Sequence, residues 1–225
     1  MTREASSPHP KAALYEAFAA SGKALANGKR LELLDLLAQG ERPVEALARA
    51  AGLQLTTASA HLQTLKQAGF VATRREGVRI HYRLAGEDVA HLFALFRKVA
   101  EAHQAAVPPA RDAYLGADDR AQLAADDLAD RARSGEVVVL DVRPAEEYAA
   151  GHIPGARSLP ITELVQRIDE LAEATEIVVY CRDVYCALAH DAVRLLTERG
   201  RRAIRLSDGM LEWRLSERPV AASAT

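Results

Sequence analysis

The hydrophobic period of this chain changes once, near the Pro pair Pro108-Pro109, and no other feature constrains the fold as strongly. Before the change, apolar residues recur at helical spacing: Ala13, Leu14, Ala17 and Phe18, then the runs KRLELLDLLAQG, PVEALARAAG and TTASAHLQTLKQAG. After it, the short apolar runs EVVVLDV, EIVVYC and RAIRLSDG alternate with helical stretches, which is the pattern of a parallel sheet covered by helices. Two domains follow, a mainly α domain over residues 1–107 and an α/β domain over residues 117–225, joined by a Pro- and Gly-bearing linker at 108–116. A chain of 225 residues lets each domain bury its own core. Hydrophobic residues at 49% and charged residues at 27% exclude a disordered chain or a disulfide scaffold.

Charge divides at the same place. Residues 1–107 carry 14 basic against 10 acidic groups, net +4, whereas the remainder is net −6 within an overall −2. Lys66, Arg74, Arg75, Arg79 and Arg83 crowd into one stretch with only Glu76 opposing them in sequence, a footprint suited to a polyanion. No apolar run approaches the roughly 20 residues of a membrane span, and the start lacks the apolar region of a signal peptide, so a cytoplasmic protein with no membrane partner is expected. Two cysteines in a reducing compartment point to chemistry rather than a permanent staple.

In the front half, PVEALARAAG opens with Pro43 and ends at Gly52, and TTASAHLQTLKQAG opens with a capping Thr and ends at Gly69. The alternation in FVATRREGVRIHYRLA then marks a hairpin with an Arg-rich turn, and EDVAHLFALFRKVAEAHQAAV is a closing amphipathic helix. Helix, tight turn, helix and basic hairpin form a DNA reader: the second helix enters a major groove while hairpin cations neutralise phosphates. From Leu25 to His103 the chain resembles the ArsR family of winged helix-turn-helix repressors, with TTASAHLQTLKQAGFV similar to its recognition helix. By position, Thr56, Thr57, Ser59, Ala60 and Gln63 face bases or phosphates, and Arg74, Arg75 and Arg79 make the wing contacts. The resemblance implies a homodimer, formed by the first and last helices, on operator double-stranded DNA. Many members sense metals, but ERPVEALARA holds no cysteine and Asp88, His91 and His103 lack the spacing of a zinc sensor, so no metal and no cofactor is expected.

In the rear half, Cys181 ends a strand at the edge where parallel sheets place their sites. A turn there aims backbone N–H groups and a helix N-terminus at its sulfur, favouring thiolate. The stretch from Val137 to Pro160, VVVLDVRPAEEYAAGHIPGARSLP, resembles the opening signature of a rhodanese domain, and SDGMLEWRLSERPV resembles its closing pattern. The resemblance implies a rhodanese-like parallel sheet, with Cys181 as the persulfide-forming residue and CRDVYC as its cradle loop. Asp141 and Arg143 orient that loop, and His152 is a packing residue of the signature.

The loop departs from the usual Cys-Arg-x-Gly-x-Arg at two positions, Val184 and Cys186. The sixth position after Cys181 is Ala187, not the Arg an oxyanion-binding phosphatase relative needs. Asp183 is expected to cancel the charge of Arg182, so thiosulfate is held poorly. Cys186 can instead attack a loaded Cys181 to close a disulfide, or the two can trap a polysulfur bridge, provided the alpha carbons lie within about 7 Å. The leading expectation is a DNA-binding repressor in which Cys181, Arg182 and Cys186, with Asp141 and Arg143, report a sulfane sulfur donor (polysulfide, persulfide or thiosulfate) or the thiol redox state. A sulfurtransferase that uses its winged helix for dimerisation or localisation, and a metal- or metalloid-responsive repressor, stay open beside it.

Overall fold

The computed structural model describes residues 9–116, 122–171 and 175–222. The chain divides into two compact units, Met1–Val89 and Ala90–Thr225.

In the first unit, helices α1 (Pro10–Leu25) and α2 (Gly28–Ala38) precede the pair α3 (Val44–Ala50) and α4 (Leu55–Gln67). Asn27 caps α2, its side chain accepting from the backbone N–H of Arg30 at 3.1 Å. Sequence favours a Thr cap for α4, but Gln54 is the N-cap and makes no side-chain cap bond, so Thr56 and Thr57 stand inside the first turn. Gly52, at φ 62°, makes the tight turn between α3 and α4 in a backbone region that disfavours any residue bearing a Cβ. Leu33, Leu34, Leu47, Ala58, Leu62 and Leu65 are buried together with Tyr82 of the hairpin. That hairpin pairs β2 (Val71–Glu76) with β3 (Arg79–Leu84) around a Gly77-Val78 turn, and β1 (Arg42–Pro43) adds an antiparallel strand on the far side of β3. A two-residue strand carries no readable period, which is why sequence alone misses β1.

The unit boundary falls inside α5 (Glu87–His103), not at the Pro pair. The expected linker is largely helical as well, because α6 (Val107–Leu115) has its prolines in the first turn, where the missing N–H has no intrahelical partner to lose.

The second unit is a five-stranded parallel sheet, in the order β4-β8-β7-β5-β6, from β4 (Gln122–Leu123), β5 (Val137–Asp141), β6 (Arg157–Ser158), β7 (Glu176–Tyr180) and β8 (Ala203–Leu206). Its helices are α7 (Ala125–Arg133), α8 (Ala145–Ala150), α9 (Ile161–Arg167), α10 (Ala187–Glu198) and α11 (Met210–Leu215). Successive strand residues feed opposite faces. Leu140 and Val179 join Leu164, Val193 and Leu196 on one side, while Val139 and Val178 join Leu128, Leu206 and Trp213 on the other. At the C-terminal end of β5, Arg143 donates to both oxygens of Asp141 and to the carbonyl of Gly151 at 2.7 Å, and both side chains are essentially inaccessible. Tyr180 lies in the same environment, and burial pushes its hydroxyl well above the ordinary tyrosine range while it accepts from the Ile153 N–H.

Removing one member of this pair strands a buried charge, at a cost of about 3–5 kcal/mol. Arg143→Met is therefore expected to lose about that much stability in the second unit. Urea denaturation followed by fluorescence of Trp213, the single tryptophan, measures it, and a loss below about 1 kcal/mol would contradict the assignment.

Candidate functional site

Strand β7 delivers the chain to Cys181 at the C-terminal edge of the sheet, and the six-residue loop to Cys186 returns it to the start of α10. Cys181 and Cys186 are joined by a disulfide, their alpha carbons 6.2 Å apart. Both sulfurs sit in the core between the sheet, α9 and α10, with Cys181 only 1% exposed. The return is built by Asp183, whose Oδ1 accepts from the Tyr185 N–H at 2.7 Å while its carbonyl accepts from the Cys186 N–H at 3.2 Å. Sequence assigned the helix N-terminus to Cys181, but Cys186 is the N-cap of α10, so once reduced Cys186 is the thiol nearest that positive end.

The turn at Gly209 backs the loop. The Met210 N–H donates to the carbonyl of Cys181 at 2.9 Å and the Leu211 N–H to that of Arg182 at 2.8 Å. A Cβ at Gly209 would lie 2.2 Å from the alpha carbon of Asp183, so this position demands glycine for close backbone approach.

Asp183 is not the carboxylate that forks with Arg182. Arg182 instead makes a forked pair with Glu147 of α8, at 2.6–3.0 Å, and Glu147 is buried. Asp183 pairs with Arg97 of α5 at 2.5 Å. Glu147 and Arg97 lie 35 and 86 residues from their partners, so no local spacing reveals them. Arg97 also approaches Glu212 of α11 at 3.5 Å and lies over the rings of Phe93 and Tyr185. Tyr185 donates its hydroxyl to Glu101, and burial together with that carboxylate pushes the phenol up to about 12. Glu212 accepts from the Gly209 N–H at 3.1 Å, a capping contact that the spacing of Gly209 and Glu212 could have disclosed. Burial, then the charge of Asp183, pushes the Glu212 carboxyl up to about 7, with Arg97 and the Gly209 N–H partly opposing. Asp141 and Arg143 are engaged with one another beneath the sheet edge. His152 is buried, stacked on Tyr148 with ring centroids 3.7 Å apart.

On the first unit, Thr56, Thr57, Ala60 and Gln63 are exposed on α4, Ser59 is half-buried, and Arg74, Arg75 and Arg79 are exposed on the hairpin. Gln63 is tied to the hairpin, its side-chain amide donating to the Tyr82 hydroxyl at 3.0 Å. Glu76 is not the sole opposing charge there, because folding brings Glu41 to within 2.6 Å of Arg74. Among the described residues no group of three or more His, Cys, Asp or Glu is arranged to hold a metal ion, and no helix is long and apolar enough to cross a membrane.

These features define a winged helix-turn-helix unit joined to a rhodanese-like unit with a two-cysteine loop. Family models of a helix-turn-helix domain and a rhodanese-like domain match residues 25–74 and 124–216. The HTH-type transcriptional regulator Rv0324 of Mycobacterium tuberculosis is 56% identical over 214 residues, spanning 95% of this chain and 94% of that protein. A sulfurtransferase of Allochromatium vinosum is 31% identical over 88 residues, spanning 39% of this chain and 80% of its own. The solved homodimeric winged helix-turn-helix DNA-binding domain of Mb0332 from Mycobacterium bovis is 61% identical, covers 45% of this chain and 94% of its own, and superposes with a TM-score of 0.41. The chain belongs to the HTH-type transcriptional regulators, with a helix-turn-helix domain joined to a rhodanese-like domain.

The raised Glu212 carboxyl means that the folded unit keeps a proton that the unfolded chain releases near 4.5. Its contribution is complete below that pH and is lost as pH rises through about 7, a fall on the order of 3 kcal/mol. Glu212→Gln, which keeps an acceptor for Gly209, is expected to abolish the fall. Urea midpoints from pH 4.5 to 8 measure it, and equal slopes in both proteins would refute the account.

Proposed function

We propose that this regulator is an operator-binding repressor whose rhodanese-like unit reports sulfane sulfur or thiol redox state through Cys181 and Cys186. The observation that carries the reading is the cysteine pair itself, buried at the strand end and close enough to be bonded. In the dithiol form, the Cys181 thiolate attacks the sulfane sulfur of a hydrogen disulfide anion, forming a Cys181 persulfide and releasing hydrosulfide. The Cys186 thiol then attacks the Cys181 sulfur, expelling a second hydrosulfide and leaving the disulfide. Two cysteine thiols are thereby oxidised and one sulfane sulfur is reduced, with no other reactant required.

The charge pattern supports sensing over rapid thiosulfate turnover, because the forked Arg182–Glu147 pair occupies the guanidinium that would hold the sulfonate oxygens of thiosulfate, a group hydrogen disulfide lacks. For DNA, Thr56, Thr57, Ser59, Ala60 and Gln63 supply the α4 surface, and Arg74, Arg75 and Arg79 the phosphate contacts of the wing. Exposed Leu14, Tyr15 and Phe18 on α1, and Leu92, Leu95, Phe96 and Val99 on α5, support burial in a homodimer. The likeness to a sulfurtransferase favours a second reading, in which Cys181 passes its sulfur to an acceptor thiol.

Binding of the reduced protein to its own upstream DNA, before and after polysulfide, tests the first reading. Affinity is expected to change at least fivefold, which corresponds to about 1 kcal/mol of coupling. Cys181→Ser and Cys186→Ser are each expected to remove the change. An unchanged affinity, with Cys181-dependent sulfur transfer to cyanide, would replace it with the second reading.

A further inference from the structure

Two side chains of the cysteine loop end on α5, while a third, Arg182, ends on Glu147 of α8. Asp183 meets Arg97, and Tyr185 meets Glu101, one helical turn further along. Asp183 is therefore used twice. Its Oδ1 holds the Tyr185 N–H and shapes the turn that brings Cys186 back to Cys181, while its Oδ2 holds the Arg97 guanidinium. The Asp183 side chain is 3% exposed and that of Arg97 is 16% exposed, so the pair is poorly screened and separating it is costly. Arg97 is further fixed by the Phe93 ring 4.4 Å beneath it and by the Tyr185 ring at 5.0 Å.

We propose that Arg97 and Glu101 are positioning residues that form a latch on the cysteine loop, gripping α5 when Cys181 and Cys186 are bonded and releasing it when they are not. The residue that closes the loop and the residue that grips the helix are the same, so opening the disulfide relaxes the turn that aims Asp183 at Arg97. The helix α5 is continuous from Glu87, in the first compact unit, to His103, in the second, which makes it the covalent route by which the loop's state leaves the second unit. This inference rests on the reading that the cysteine pair alternates between dithiol and disulfide.

Linkage is reciprocal: a latch favoured by the disulfide must itself favour the disulfide. The full-length protein is equilibrated with mixtures of reduced and oxidised glutathione, in which two protein thiols give two electrons and two protons to glutathione disulfide and release two glutathione thiols. Alkylation followed by mass measurement reads the disulfide fraction. Arg97→Gln is expected to lower the equilibrium constant for disulfide formation five- to tenfold, and Tyr185→Phe two- to threefold. Arg97→Lys should recover part of the loss, and Arg133→Gln, at an exposed ion pair elsewhere, should change nothing. Tyr185→Phe and Arg97→Lys carry the test if Arg97→Gln does not fold. Wild-type constants within twofold in Arg97→Gln and Tyr185→Phe would overturn the latch. Operator affinity of both redox forms separates this failure from failure of the sensor reading. Shifted constants with no dependence of wild-type DNA binding on redox form would keep the latch and discard the sensor.

Discussion

Burial of β7 on both faces is the constraint from which the site in the second unit follows. As the central strand of five, β7 has neighbours on either edge, and its side chains enter the cores above and below the sheet. A chain leaving such a strand cannot continue in the plane, so it turns over the C-terminal edge, where parallel sheets gather their loops. Cys181 is the first residue past that edge. Its burial among aliphatic side chains is inherited from the strand, and Cys186 is drawn into the same core as the loop returns to α10. Gly209 completes the arrangement by letting a second loop approach within backbone contact.

Charge pairing then decides which chemistry the loop supports. Three arginine–carboxylate pairs line the same edge: Arg143 with Asp141, Arg182 with Glu147, and Arg97 with Asp183. Each of these three guanidinium groups holds a buried or nearly buried carboxylate. The loop's own arginine is thus held in fixed geometry by a carboxylate from another helix. On the hairpin of the first unit the balance differs. Arg75 and Arg79 stay exposed, and only Arg74 is shared with Glu41 and Glu76.

Much of this was legible in the residues. The apolar runs EVVVLDV and EIVVYC announced β5 and β7, Gly52 and Gly69 bracketed α4, and the five-residue interval between the cysteines announced the loop. What escaped has physical reasons. Strands of two residues, β1, β4 and β6, show no period. Prolines at the start of α6 look like a break although a first turn accepts them. Glu147 and Arg97, which pair with Arg182 and Asp183, come from distant helices, so these pairs rest on geometry that only the folded chain contains.

The central claim is that the state of two buried sulfurs is felt along α5, and hydrogen–deuterium exchange of residues 90–103 tests it most directly. The disulfide and dithiol forms of the full-length protein would be compared at one pH and temperature. The account predicts that reduction speeds amide exchange around Arg97 and Glu101 severalfold, while α7, on the far face of the sheet, keeps its rate. Equal protection of α5 in the two forms would contradict it.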